Sequence, residues 1–96
     1  MTRIIIEPQT AKNVQNLVRS AVENELKVIS FGIAKTKRKL EELEKRFGMS
    51  TGDFYKKFNE GKMGDDLVYI RWAGEYETFQ QLQRDHNDLL ETELCS

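Results

Sequence analysis

Cysteine, proline, histidine and tryptophan each occur once in these 96 residues, and that scarcity removes several functions before any pattern is read. A lone Cys95 cannot form an intramolecular disulfide or a paired-thiolate metal site. A lone His86 leaves a Ser/His/Asp or Cys/His catalytic set dependent on one residue, in the run Asp85-His86-Asn87-Asp88, where nothing distinctive surrounds it. Asp85, His86 and Asp88 do not share one helix face, so a solvated or seam-edge histidine is the better reading. No apolar run approaches the ~20 residues needed to span a membrane. Met1 to Ile6 is too short and too polar at its flank for a signal peptide, so a soluble, cytoplasmic protein is expected. Nor is there a dominant charge: 15 basic and 16 acidic residues give a formal net charge of -1, too little to steer the whole molecule onto nucleic acid.

What is present is 39% hydrophobic and 32% charged, a balance that suits amphipathic helices. A chain this short makes one domain with a thin core, so association with a second molecule is expected. Leu26, Ile29, Ile33, Thr36, Leu40, Leu43 and Phe47 recur at alternating spacings of three and four, which lines them along one seam of a helix. Thr10 is the expected cap of this element, and Val14, Leu17, Val18, Ala21 and Val22 lead into the seam at helical spacing. A helix from Thr10 to Phe47 would be about 57 Å long. Ser30 and Gly32 mark where it could bend. Glu23 with Lys27, Lys37 with Glu41, and Glu42 with Arg46 sit four apart, each adding ~0.2 to 0.5 kcal/mol to a solvated face. The basic cluster Lys35, Lys37, Arg38 and Lys39 belongs to that face.

Ahead of the helix, Arg3-Ile4-Ile5-Ile6-Glu7-Pro8 reads as a short strand or arm, with residues 1–9 set apart from a helical domain over 10–96. After it, Gly48 terminates the long helix and Ser50 caps a short one from about Thr51 to Asn59, with Phe54 and Phe58 on one face. Residues 60–66 form a loop with two glycines. Asp65 is the expected cap of a last helix from about Asp66 to Glu93, whose stripe includes Val68, Trp72, Tyr76, Phe79, Gln83, His86 and Leu90. Gly61-Lys62 lacks the spacing of a phosphate-binding loop, because Lys62 is followed by Met63. Glu60, Asp65 and Asp66 read as capping and dipole complement, not as cation ligands.

The expected fold is therefore all-α, a long helix, a short helix and a third helix in an antiparallel hairpin, completed as a dimeric helical bundle. Leu26, Ile29, Ile33, Leu40, Leu43 and Phe47 are the candidate interface, with Trp72 and Tyr76 as aromatic anchors. Val14, Leu17, Val18 and Tyr69 are the candidate contacts for a different partner. No catalytic, cofactor or metal site is expected.

Leu43-Glu44-Lys45-Arg46-Phe47-Gly48-Met49-Ser50, then Phe54-Tyr55-Lys56-Lys57-Phe58, Gly61, Gly64-Asp65-Asp66 and Trp72-Ala73-Gly74-Glu75-Tyr76, together resemble small bacterial and archaeal proteins with the pattern KYGMS..FY..F..G.LGDD...WAG.YE. The likeness covers about Lys35 to Leu90, with Phe47 where Tyr is common and Lys62-Met63 where an acid and Leu are common. Such proteins are encoded beside putative toxins and are treated as antitoxin-like members of type II toxin-antitoxin pairs. The resemblance implies a non-enzymatic protein that neutralises a cognate toxin by covering it, and the otherwise unpartnered N-terminal half of the long helix is a physically sensible surface for doing so. Two alternatives stand beside it. One is a structural homo-oligomer. The other is a ribbon-helix-helix autorepressor, in which the Arg3 to Glu7 strand would enter DNA; that motif needs a turn that Ser20 to Lys27 does not show, and an outward Ile5 and Glu7 read DNA poorly.

Overall fold

The computed structural model describes residues 8–95, in three helices: α1 (Pro8–Phe47), α2 (Thr51–Asn59) and α3 (Leu67–Cys95). The hairpin measures 60 × 30 × 20 Å, and its length is that of α1, about 60 Å at 1.5 Å per residue. The all-α expectation holds among these residues. The strand expected over Arg3 to Glu7 lies outside them.

Pro8, Gln9 and Thr10 are all helical, so Thr10 lies inside α1 instead of capping it. Proline suits a first turn, because the N–H it lacks would have no partner there. Nor does α1 break at Gly32: a Cβ there would sit 3.3 Å from Cδ1 of Leu82. The glycine serves close helix–helix approach. Among the described residues none of the four-apart charge pairs on α1 closes to an ion pair, whereas Lys39 reaches Glu75 at 3.4 Å and Lys62 reaches Glu60 at 2.7 Å.

Gly48, at φ +62°, ends α1 as expected, and the N–H of Met49 reaches back to the carbonyl of Glu44 at 3.3 Å. Two residues on, Ser50 caps α2 by accepting from the N–H of Asp53 at 3.2 Å. The side chain of Glu44 adds a second cap, accepting from the N–H of Thr51 at 2.7 Å. α2 closes as α1 does: Gly61 has φ +74°, its N–H donates to Phe58, and Lys62 donates to Lys57 at 2.9 Å. These paired bonds satisfy carbonyls that a helix end would otherwise strand.

α3 is capped by Asp66, not by Asp65. Its Oδ1 accepts from the N–H of Val68 at 3.1 Å, and its carbonyl receives the N–H groups of Tyr69 and Ile70. The two acids are adjacent and of one type, so composition alone does not separate them; the turn at Gly64, with φ +79°, brings the second into place.

The core gathers at the end of the hairpin where all three helices meet. Leu40, Phe54, Trp72 and Ala73 are buried together, with Leu43, Phe47, Met63, Tyr69 and Tyr76 packed around them. Trp72 stacks on Phe54 at 3.9 Å and 5° between ring planes, and on Phe47 at 5.4 Å and 23°. Its indole N–H donates to the Thr51 hydroxyl at 3.1 Å, so burial of this ring strands no polar group.

Candidate interaction surfaces

The structure splits the candidate interface residues from the candidate partner contacts. Ile29, Leu40 and Trp72 are buried, and Leu26, Ile33, Leu43, Phe47 and Tyr76 half-buried, within the single chain. α3 lies antiparallel along α1, with Trp72 beside Phe47 and Leu82 over Gly32. The chain's own later helices therefore cover the seam from Leu26 to Phe47. The physical reason is length: the 29 residues of α3 span about 43 Å, enough to shelter most of α1 but not all of it.

Tyr69 also turns inward, with its ring 5.5 Å from Phe47 and 5.9 Å from Phe54. It stands at the opposite end of the hairpin from Val14, Leu17 and Val18, so the four do not form one surface. Those three remain exposed, Leu17 at 60% and Val18 at 56%.

Near the C-terminal end of α3 the inner face of α1 opens into a cleft of about 430 Å³, whose lining includes Val14, Val18, Val22 and Arg19 from one helix and Thr92 and Glu93 from the other. Its floor is apolar because Val14, Val18 and Val22 continue the buried stripe of α1 past the point where α3 stops covering it. Arg19 and Glu93 put charge at its rim, and Thr92 Oγ1 is occupied with the carbonyl of Asp88 at 2.9 Å. Among the described residues, none lining the cleft pairs a nucleophile with an adjacent base, and no group of three or more metal-ligating side chains gathers. Its chemistry is that of a binding groove, apolar within and charged at the edge.

At the packed end, the Tyr55 hydroxyl donates to Oε1 of Glu77 at 2.8 Å, and its ring meets Tyr76 edge-on at 4.9 Å. The hydrogen bond to Glu77 holds the Tyr55 phenol above its ordinary pKa, because ionising it would give up that bond and then set two negative charges side by side. This contact ties α2 to α3.

A further set of exposed apolar residues, Val28 and Phe31 on α1 with Leu67 and Ile70 on α3, carried a signal in the sequence. Val28 and Phe31 follow Leu17 and Ala21 at the same three-and-four spacing as the buried seam. The stronger stripe beside it masks this second one.

No helix among the described residues is long and apolar enough to cross a membrane. Compared with known proteins, the chain matches no family model, no curated protein and no solved structure.

Proposed function

We propose that this chain is a non-enzymatic interaction protein, antitoxin-like in the sense of the resemblance above, which masks a partner protein by taking an apolar segment of it into the Val14–Val18–Val22 cleft. The observation that carries this reading is that α1 outruns α3 while its inner face stays apolar: Val14 is 42% and Val18 56% exposed. A groove between two helices with an apolar floor and a charged rim accepts an amphipathic helix. The partner named by the resemblance is the product of the adjacent reading frame. α1 runs unbroken through residues 20–27, where a ribbon-helix-helix repressor would need its turn, so the DNA-binding alternative gains nothing from the fold.

Co-expression of the full chain with the product of the neighbouring reading frame tests the proposal. A complex that survives size exclusion is expected, and Val18→Asn is expected to weaken it about tenfold by placing an unpaired amide against apolar surface. Failure of the two wild-type proteins to associate, or a complex indifferent to Val18→Asn, would overturn it.

A further inference from the structure

α1 carries two apolar seams, and only one is used within the chain. The second runs Val14, Leu17, Ala21, Asn24, Val28, Phe31, a strict alternation of three and four about 130° around the helix from the buried face. Every one of these residues is exposed, Phe31 at 76% and Val28 at 57%. No charge interrupts the seam. At the next positions of the same repeat stand Lys35 and Arg38, and there the apolar character ends.

We infer that this seam is a self-association surface, on which a second copy of the chain packs its own α1 antiparallel, with the two-fold axis between Val22 and Glu23. The spacing selects the kind of occupant: a seam that repeats every three and a half residues fits another helix of the same repeat. Area and charge select a copy in this orientation. The exposed parts of the seam and its flanks come to roughly 500 Å² per protomer, about 1,000 Å² for a pair, the size at which an interface becomes specific.

A parallel pair would set Lys35 and Arg38 directly against their own copies, and like charges so placed oppose association. In the antiparallel register Lys35 passes beyond the second copy's Val14 and lies level with its uncharged Thr10. Leu17 then faces the second copy's Val28, and Val14 its Phe31. At the centre Asn24 faces Ala21, the smallest seam residue, which leaves the amide room. The two Asn24 side chains come within about one helical turn of each other across the axis, where they can pair. A buried seam with one polar layer fixes its register in this way.

The surface shares Val14 with the partner cleft, and its test uses seam residues outside that cleft. Sedimentation of the full chain across micromolar to millimolar concentration should show a monomer–dimer equilibrium with a midpoint in the micromolar range. Phe31→Glu and Val28→Glu should each weaken it at least a hundredfold, with helicity and melting temperature nearly unchanged at concentrations where the wild type is monomeric, since both side chains are largely exposed on the hairpin. Val18→Asn should leave it nearly intact. In a Cys95→Ser background, Leu17→Cys combined with Val28→Cys should cross-link two chains under mild oxidation, whereas Leu17→Cys alone should not. A monomer at millimolar concentration would overturn the inference, as would a dimer indifferent to Phe31→Glu. Efficient cross-linking of Leu17→Cys alone would overturn the antiparallel register.

Discussion

Two hydroxyl groups at the packed end hold more of the molecule in place than their size suggests. Thr51 is buried at the start of α2 and accepts the only hydrogen bond that the Trp72 indole makes. Thr51→Val keeps the shape and removes the acceptor, leaving a buried donor unpaired; it should cost about 1–3 kcal/mol, whereas Thr51→Ser should cost less. Urea unfolding checks this, with the midpoint falling and the slope unchanged. Trp72→Ala removes the ring itself and should cost about 3–5 kcal/mol. Tyr55 gives a prediction in pH. Its pKa is raised in the folded state by the Glu77 carboxylate, so the contact stabilises the fold fully below the ordinary tyrosine pKa of about 10 and loses that contribution as pH rises through the folded value. Titration of phenolate absorbance, with Tyr55→Phe identifying the group, should place the Tyr55 phenol above the ordinary tyrosine value, and Glu77→Gln should bring it down. The sequence made the aromatic residues at this end legible but not their bonds. Thr51 reads as an ordinary helix-start residue until the fold sets Trp72 beside it.

At the scale of the helices, patterning was a good guide to where elements lie and a poor one to what each glycine does. Gly48 and Ser50 stand where a stop and a start should, because the left-handed φ and the capping hydroxyl are local requirements. Gly32 depends on a neighbour fifty residues on, and no local rule distinguishes a close approach from a bend. Gly32 in α1 and Gly74 in α3 make the contrast measurable. Nothing lies within 4 Å of a Cβ built at Gly74, whereas one at Gly32 meets Leu82 at 3.3 Å. Gly74→Ala should therefore gain most of the ~1 kcal/mol of helix propensity, a rise of about 4–8 °C in melting temperature for a domain of this size. Gly32→Ala should gain distinctly less, because the Leu82 side chain must shift, and Gly32→Leu should destabilise by forcing α1 and α3 apart. Thermal melts of the three variants rank them.

For the molecule as a whole, the antiparallel hairpin follows from periodicity and loop position, but the balance of coverage does not. The Leu26 to Phe47 stripe reads equally well as a seam for a neighbour or for the chain itself, and the lengths of α1 and α3 settle which residues the chain covers. Packing is concentrated at one end: the fully buried Phe54 and Trp72 lie there, while α1 around Val14 to Val18 is largely open. Stability should follow the same gradient. Amide exchange should be slowest around Leu40 and Trp72 and fastest at the start of α1, where opening exposes little that was covered.

The chain's one indole sits wholly enclosed at that tight end, which makes it an optical reporter with a restricted field of view. Tryptophan emission follows the aromatic knot alone, while far-ultraviolet dichroism sums over every helical turn, including those furthest from it. Gentle warming that frays the far tip should dim the dichroic signal first and leave the emission spectrum blue until the knot itself gives way.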